Sequence, residues 1–129
     1  MARDQRPKGP TQRQLRVGEI LRHALADMLL RGEIADPELE KQKVTVTEVR
    51  LSPDLRNATV YIVPFVGSGD AHAIRKMLAK HQRFLRGELA KRVDLKYMPN
   101  LLFQIDATFD EAERIDAILR SPTVSRDLS

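Results

Sequence analysis

The amino-acid sequence predicts one α+β domain, a three-stranded sheet packed on helices. Apolar residues recur at three- and four-residue spacing over residues 12–31 and 71–93, the period of a helix with one buried face. Three shorter runs between and after these stretches alternate in the two-residue period of a strand. At 129 residues the chain has the size of a single domain that buries roughly two-thirds of its unfolded surface.

Thr11 and Gln14 stand at capping-box spacing, where hydroxyl and amide satisfy two free backbone donors, so the first helix is expected to begin at residue 12. Val17, Ile20, Leu21, Ala24, Met28 and Leu29 form its apolar stripe, and Gly32 supplies the left-handed stop after Arg31. Gly32 to Glu40, with Asp36-Pro37, reads as a loop. Val44 and Val46 then lie in one alternating phase and Val49 and Leu51 in the other, which places a β-bulge near Glu48. Ser52-Pro53-Asp54 turns the chain, and Ala58, Val60 and Ile62 return it as the second arm of an antiparallel hairpin. Gly67-Ser68-Gly69 is a loop, and Asp70 can cap the next helix.

Ile74, Met77, Leu78, Leu85, Leu89 and Val93 share one stripe, with Lys76, Lys80, Arg83 and Arg86 on the opposite side. A straight helix over residues 71–93 would be about 34 Å long, as wide as the domain. A break is therefore expected, and His81, which interrupts the stripe, marks it. Pro99 ends the helical pattern. Leu101, Phe103 and Ile105 form a third strand, and Thr108 with Glu111 is read as a capping box for a last helix over Ala112, Ile115 and Leu119. The domain is expected to cover residues 11–120, with a basic flexible arm at 1–10 and a flexible tail at 121–129.

The charge is unevenly placed. Residues 1–22 carry six Lys/Arg against two Asp/Glu, and residues 75–96 carry eight against two, whereas the remaining segments are mildly acidic. Two basic segments on an acidic body favour an anionic partner. The absence of cysteine excludes disulfides, thiolate zinc sites and thiol nucleophiles, and suits a reducing compartment. The polar N-terminus lacks the apolar stretch of a secretory signal, and no apolar run approaches the roughly eighteen residues that span a bilayer. A cytoplasmic location is the resulting expectation.

The order helix, strand, strand, helix, helix, strand, with an additional C-terminal helix, matches the type II KH-like domain, an RNA-binding architecture. Specific residues narrow the match. The hairpin from Val44 to Leu55, with its Ser52-x-Asp54-Leu55 turn and the following Ala58-Thr59-Val60-Tyr61, resembles that of bacterial ribosome-binding factor A. So do Arg16-Val17, Phe84-Leu85-Arg86 and Tyr97-Met98-Pro99-Asn100-Leu101, and the likeness runs over residues 10–120. His81-Gln82-Arg83 stands where that family has Ala-x-Gly at its helix break. No Gly-x-x-Gly occurs, so the backbone clamp of ordinary KH domains is missing.

The resemblance implies a non-enzymatic assembly factor that needs no cofactor. It would associate with the free small (30S) ribosomal subunit, bind 16S ribosomal RNA, assist late maturation and precursor processing, and support growth in the cold. Release by an assembly GTPase and initiation factors is likewise implied, and a monomer is the default. Arg13, Arg16, Lys76, Lys80, Arg83 and Arg86 are the expected RNA contacts, and changing the last four to Glu is expected to leave folding intact. Arg3, Arg6 and Lys8 fit either an accessory contact or a solubilising arm. With only six aromatic residues, Tyr61 and Tyr97 are the stacking candidates.

Other readings of these residues are blander or belong to another class. A cationic helix face is by itself often only a solvated surface. His23, His72 and His81 lack metal-ligand spacing and read as packing or break residues. Asp106, Asp110, Glu111, Glu113 and Asp116 are dense enough to consider a magnesium-dependent ribonuclease. The cap accounts for Glu111, the helix dipole favours Asp110, and Glu113 and Asp116 suit the wet face of the helix, without a metal. A general nucleic-acid-binding or protein-binding module of the same fold is the third alternative.

Overall fold

The computed structural model describes residues 9–34, 36–37, 43–65, 70–108, 115–116 and 118–119. Its elements follow in the order α1 (Gln12–Leu30), β1 (Val44–Leu51), β2 (Asn57–Pro64), α2 (Ala71–Lys80), α3 (Gln82–Arg92) and β3 (Asn100–Ile105), the α-β-β-α-α-β arrangement expected. Residues 1–8 and 120–129, which hold most of the expected arm and tail, lie outside the described residues, as do the Gly67-Ser68-Gly69 loop and most of the stretch from Ala35 to Glu40.

The capping box forms. Gln14 N–H donates to Thr11 Oγ1 at 3.2 Å and Thr11 N–H to Gln14 Oε1 at 2.8 Å. Gln14 does more than cap, because its Nε2 donates to Leu51 O at 2.8 Å and ties the start of α1 to the end of β1. At the other end Gly32 takes φ 66°, and Gly32 and Glu33 donate to Leu29 O and Met28 O, the paired bonds of a Schellman motif. Ile34 follows this stop and is buried in the core.

β1 and β2 form the antiparallel hairpin, with the register shift between Val46 and Glu48. The bulge residue is thus Thr47, whose extra place lets Val46 and Val49 both face the core. The turn is built from side chains as well as backbone. Asp54 Oδ1 accepts from Ser52 Oγ at 2.6 Å and from Arg56 N–H at 3.1 Å, and Ser52 Oγ accepts from Asn57 N–H at 3.0 Å. Leu55 adopts φ 61°, unusual for a branched residue and costing about 1 kcal/mol, which its packing against the core offsets.

β3 adds to β2 in parallel, giving the order β1-β2-β3. A parallel partner requires a crossover, and α2 with α3 supplies it. One sheet face, with Val60, Ile62, Leu101 and Phe103, is sealed against Leu21, Leu25, Met28, Ile74, Leu78, Leu85 and Leu89. The other face exposes Leu102 and Gln104 and half-buries Tyr61.

The helix break falls at His81 (φ −96°, ψ 14°). Without a small residue at that point, the break is held by side chains. His81 Nε2 meets Asp36 Oδ2 at 2.7 Å, and Gln82 Oε1 accepts from Leu101 N–H at 2.8 Å. The kink is therefore anchored to the segment after α1 on one side and to β3 on the other. His81→Ala is expected to lower stability by about 1 kcal/mol, read as a lower melting temperature, with the break retained through Gln82.

The last helix starts differently from expectation. Asp106 Oδ1, not Thr108, provides the cap by accepting from Thr108 N–H at 2.8 Å, and Ala107 and Thr108 are already helical. Thr47 Oγ1 donates to Asp106 Oδ2 at 2.6 Å, so the bulge residue holds the capping carboxylate in place. Glu111 and Ala112 lie outside the described residues, and Ile115 and Leu119 are helical but about half exposed.

Candidate nucleic-acid interface

Lys76 and Lys80 lie one turn apart on α2, and Arg83 follows on the first turn of α3, all three exposed. Among the described residues none has an ion pair or side-chain hydrogen bond. That separates them from Arg22, Arg31, Arg50, Lys91 and Arg92, whose charges are met by Glu19, Asp27, Glu48, Glu88 and Glu33. Cations without carboxylate partners leave a local positive potential for phosphate oxygens.

Arg86 does not belong with them. Its Nε donates to Pro99 O at 3.1 Å and its Nη2 to Met98 O at 2.9 Å, so the half-buried guanidinium braces the linker between α3 and β3. Helical spacing puts Arg86 opposite the apolar stripe, but the linker folds back across that side. These bonds bear against the expectation that a fourfold change to Glu leaves folding intact, and the charge-reversal test is accordingly built on the other three.

Arg13 and Arg16 form a second group. They line a cleft of about 630 Å³ between α1, the β1–β2 turn and the linker from α3 to β3, with Ile20, Asp54, Asp94, Lys96 and Tyr97 among its walls. Ile20, expected on the buried stripe of α1, is 41% exposed here. Among the described residues the side chains of Arg13 and Arg16 have no ion pair or hydrogen bond. Asp54 is committed to its turn, and the Ser52 hydroxyl and the Arg56 N–H hold its carboxyl below the ordinary carboxylate range. The two stacking candidates separate: Tyr97 is 68% exposed, with Lys96 Nζ 5.6 Å from its ring centre, whereas Tyr61 is half-buried under Arg50.

The two cationic groups sit at opposite ends of α3, whose 11 residues span about 16 Å. Lys96, which sequence reasoning does not single out, also lines the cleft beside Tyr97. Of the carboxylates weighed as metal ligands, Asp106 is the helix cap described above, while Asp110, Glu111 and Glu113 lie outside the described residues. Among the described residues no three His, Cys, Asp or Glu side chains gather as a metal site, and no helix is long and apolar enough to cross a membrane.

The family model for ribosome-binding factor A matches residues 13–119. The chain belongs to the ribosome-binding factor A family. It is 56% identical over 128 residues to ribosome-binding factor A of Methylorubrum extorquens (strain PA1), covering 99% of this chain and 88% of that one. Against ribosome-binding factor A of Parvibaculum lavamentivorans the identity is 53% over 122 residues, covering 95% and 86%. The crystal structure of ribosome-binding factor A from Thermus thermophilus superposes with a TM-score of 0.60 at 30% identity, over 71% of this chain and 94% of that one. Thermus thermophilus ribosome-binding factor A coordinates fitted into a cryo-EM map of a 30S complex give a TM-score of 0.53 at 31% identity, over 66% and 86%. Within the ribosome-binding factor A frame, the break at His81 and the brace at Arg86 are the features that set the two cationic groups apart.

Proposed function

We propose that this protein is a cytoplasmic, non-enzymatic ribosome-binding factor that docks on the free small ribosomal subunit, contacts 16S ribosomal RNA and assists late maturation of its precursor. The observation that carries this reading is the set of exposed cations Lys76, Lys80, Arg83, Arg13 and Arg16, without side-chain partners among the described residues, on a ribosome-binding factor A fold. The fitted Thermus relative supports the choice of subunit. Without a Gly-x-x-Gly clamp, the α2–α3 group acts through phosphate positions on folded RNA. The protein works by differential binding, stabilising one RNA arrangement and leaving when the mature one forms. An assembly GTPase and initiation factors are the proposed agents of release, a monomer is the proposed acting form, and growth in the cold is where its absence should be felt most.

Cells depleted of the protein are expected to accumulate precursor 16S ribosomal RNA, more strongly in the cold. Wild-type protein should restore processing, and the Lys76→Glu/Lys80→Glu/Arg83→Glu variant should not. Unchanged precursor levels after depletion would overturn the maturation role.

A further inference from the structure

We infer that the cleft between α1, the β1–β2 turn and the α3–β3 linker holds one unpaired RNA nucleotide, its base against Tyr97 and Ile20 and its phosphate on Arg13 and Arg16. This deepens the RNA-binding reading above and rests on it. The cleft's volume of about 630 Å³ falls in the range of about 300–1,000 Å³ typical of sites for small organic groups. Its chemistry is divided as a nucleotide requires. Arg13 and Arg16, one helical turn apart near the start of α1, supply two guanidiniums with no competing partner among the described residues.

On the facing wall Tyr97 is 68% exposed, and on α1, one turn beyond Arg16, Ile20 is 41% exposed, an aromatic and an aliphatic surface left open to water. Lys96 lies within cation–π distance of the ring and can reach a neighbouring phosphate. The lining also carries Asp54 and Asp94. Asp54 spends its Oδ1 on Ser52 and Arg56, and the exposed Asp94 offers an acceptor for the amino or imino edge of a base. Sequence-tolerant stacking with a phosphate clamp is the usual way a protein holds unpaired RNA.

The site is built rather than incidental. Arg86 grips the carbonyls of Met98 and Pro99, the two residues after Tyr97, Pro99 is fully buried, and Leu95 packs against the core. The linker that presents Lys96 and Tyr97 is thus fixed from both sides. On the opposite wall the cap at Thr11 and the Gln14 bond to Leu51 fix the first turn of α1, and with it Arg13 and Arg16.

The test uses the full-length chain, a fluorescein-labelled single-stranded RNA hexamer and a blunt RNA duplex of the same sequence, followed by anisotropy over a salt series. Tyr97→Ala is expected to weaken hexamer binding about 5- to 100-fold with little effect on the duplex, and Tyr97→Phe should restore it. Arg13→Ala/Arg16→Ala should reduce the salt dependence of hexamer binding by about one phosphate contact. Thermal melting should be unchanged for Tyr97→Ala, because its side chain is mostly exposed. Hexamer binding that is absent in the wild type, indifferent to Tyr97→Ala, or lost in parallel with the duplex would overturn the inference. Sedimentation with small subunits, run alongside, separates the two claims. Subunit binding without Tyr97-dependent hexamer binding removes the cleft and keeps the ribosomal reading, and the reverse pattern keeps the cleft and removes that reading.

Discussion

Gly18→Ala is expected to destabilise the protein by about 2–3 kcal/mol, whereas Gly87→Ala should stabilise it by up to about 1 kcal/mol. Both glycines are inside helices, where alanine is ordinarily preferred for its lower backbone entropy cost. A Cβ at Gly18, however, would stand 2.4 Å from the carbonyl oxygen of Val49, and that oxygen belongs to a sheet strand that cannot swing aside. Helix α1 would have to lift off β1, opening the contacts of Val17 and Leu21 with the core. A Cβ at Gly87 would meet nothing within 4 Å, so only the propensity gain remains. Urea or thermal denaturation of the two variants reads the contrast directly. A Gly18→Ala protein as stable as the wild type would show that α1 is not seated this closely on the sheet.

Arg86→Glu is expected to cost about 3 kcal/mol, more than Lys76→Glu, Lys80→Glu and Arg83→Glu together. Removing the guanidinium forfeits two charge-assisted bonds, and the new carboxylate faces the carbonyl oxygens of Met98 and Pro99 with nothing to donate. The three exposed residues should each change stability by no more than about 0.5 kcal/mol. Adding Arg86→Glu to the triple variant should convert a folded, binding-deficient protein into one that melts many degrees lower. Equal melting temperatures for the triple and quadruple variants would mean that the brace contributes nothing.

Why the sequence misplaces Arg86 but not Lys80 is a matter of range. Helical period and caps are local, so the bounds of α1, the break at His81 and the β-bulge can be read from neighbouring residues. The positions of Ala58, Val60 and Ile62 follow from the same short-range alternation. What a side chain meets across the fold depends on how a distant segment returns. The linker over Met98 and Pro99 crosses the polar side of α3 and captures Arg86. The same linker leaves Ile20 at the cleft rather than in the core. Asp106 accepts from the Thr108 N–H and is also held by Thr47, 59 residues away in sequence, a contact no local pattern shows. Gly18 gives no local sign of its close approach to Val49, being only a poor helix former in a good helix. The cationic candidates are visible as charge, but their availability depends on which carboxylates the fold brings near, and that is a property of the assembled molecule.

On the proposed reading, cations that have no carboxylate partner among the described residues dock this fold to the small ribosomal subunit. The most direct test is co-sedimentation of the wild-type protein and the Lys76→Glu/Lys80→Glu/Arg83→Glu variant with small subunits, large subunits and bulk RNA between about 50 and 200 mM salt. The wild type should be retained selectively by small subunits, with affinity falling on the order of a thousandfold across that range if about six phosphates are contacted. The folded variant should bind at least about tenfold more weakly and with a shallower salt slope. Equal binding of the wild type to all three, vanishing together with salt, or a variant that binds small subunits as tightly as the wild type, would contradict this mode of docking.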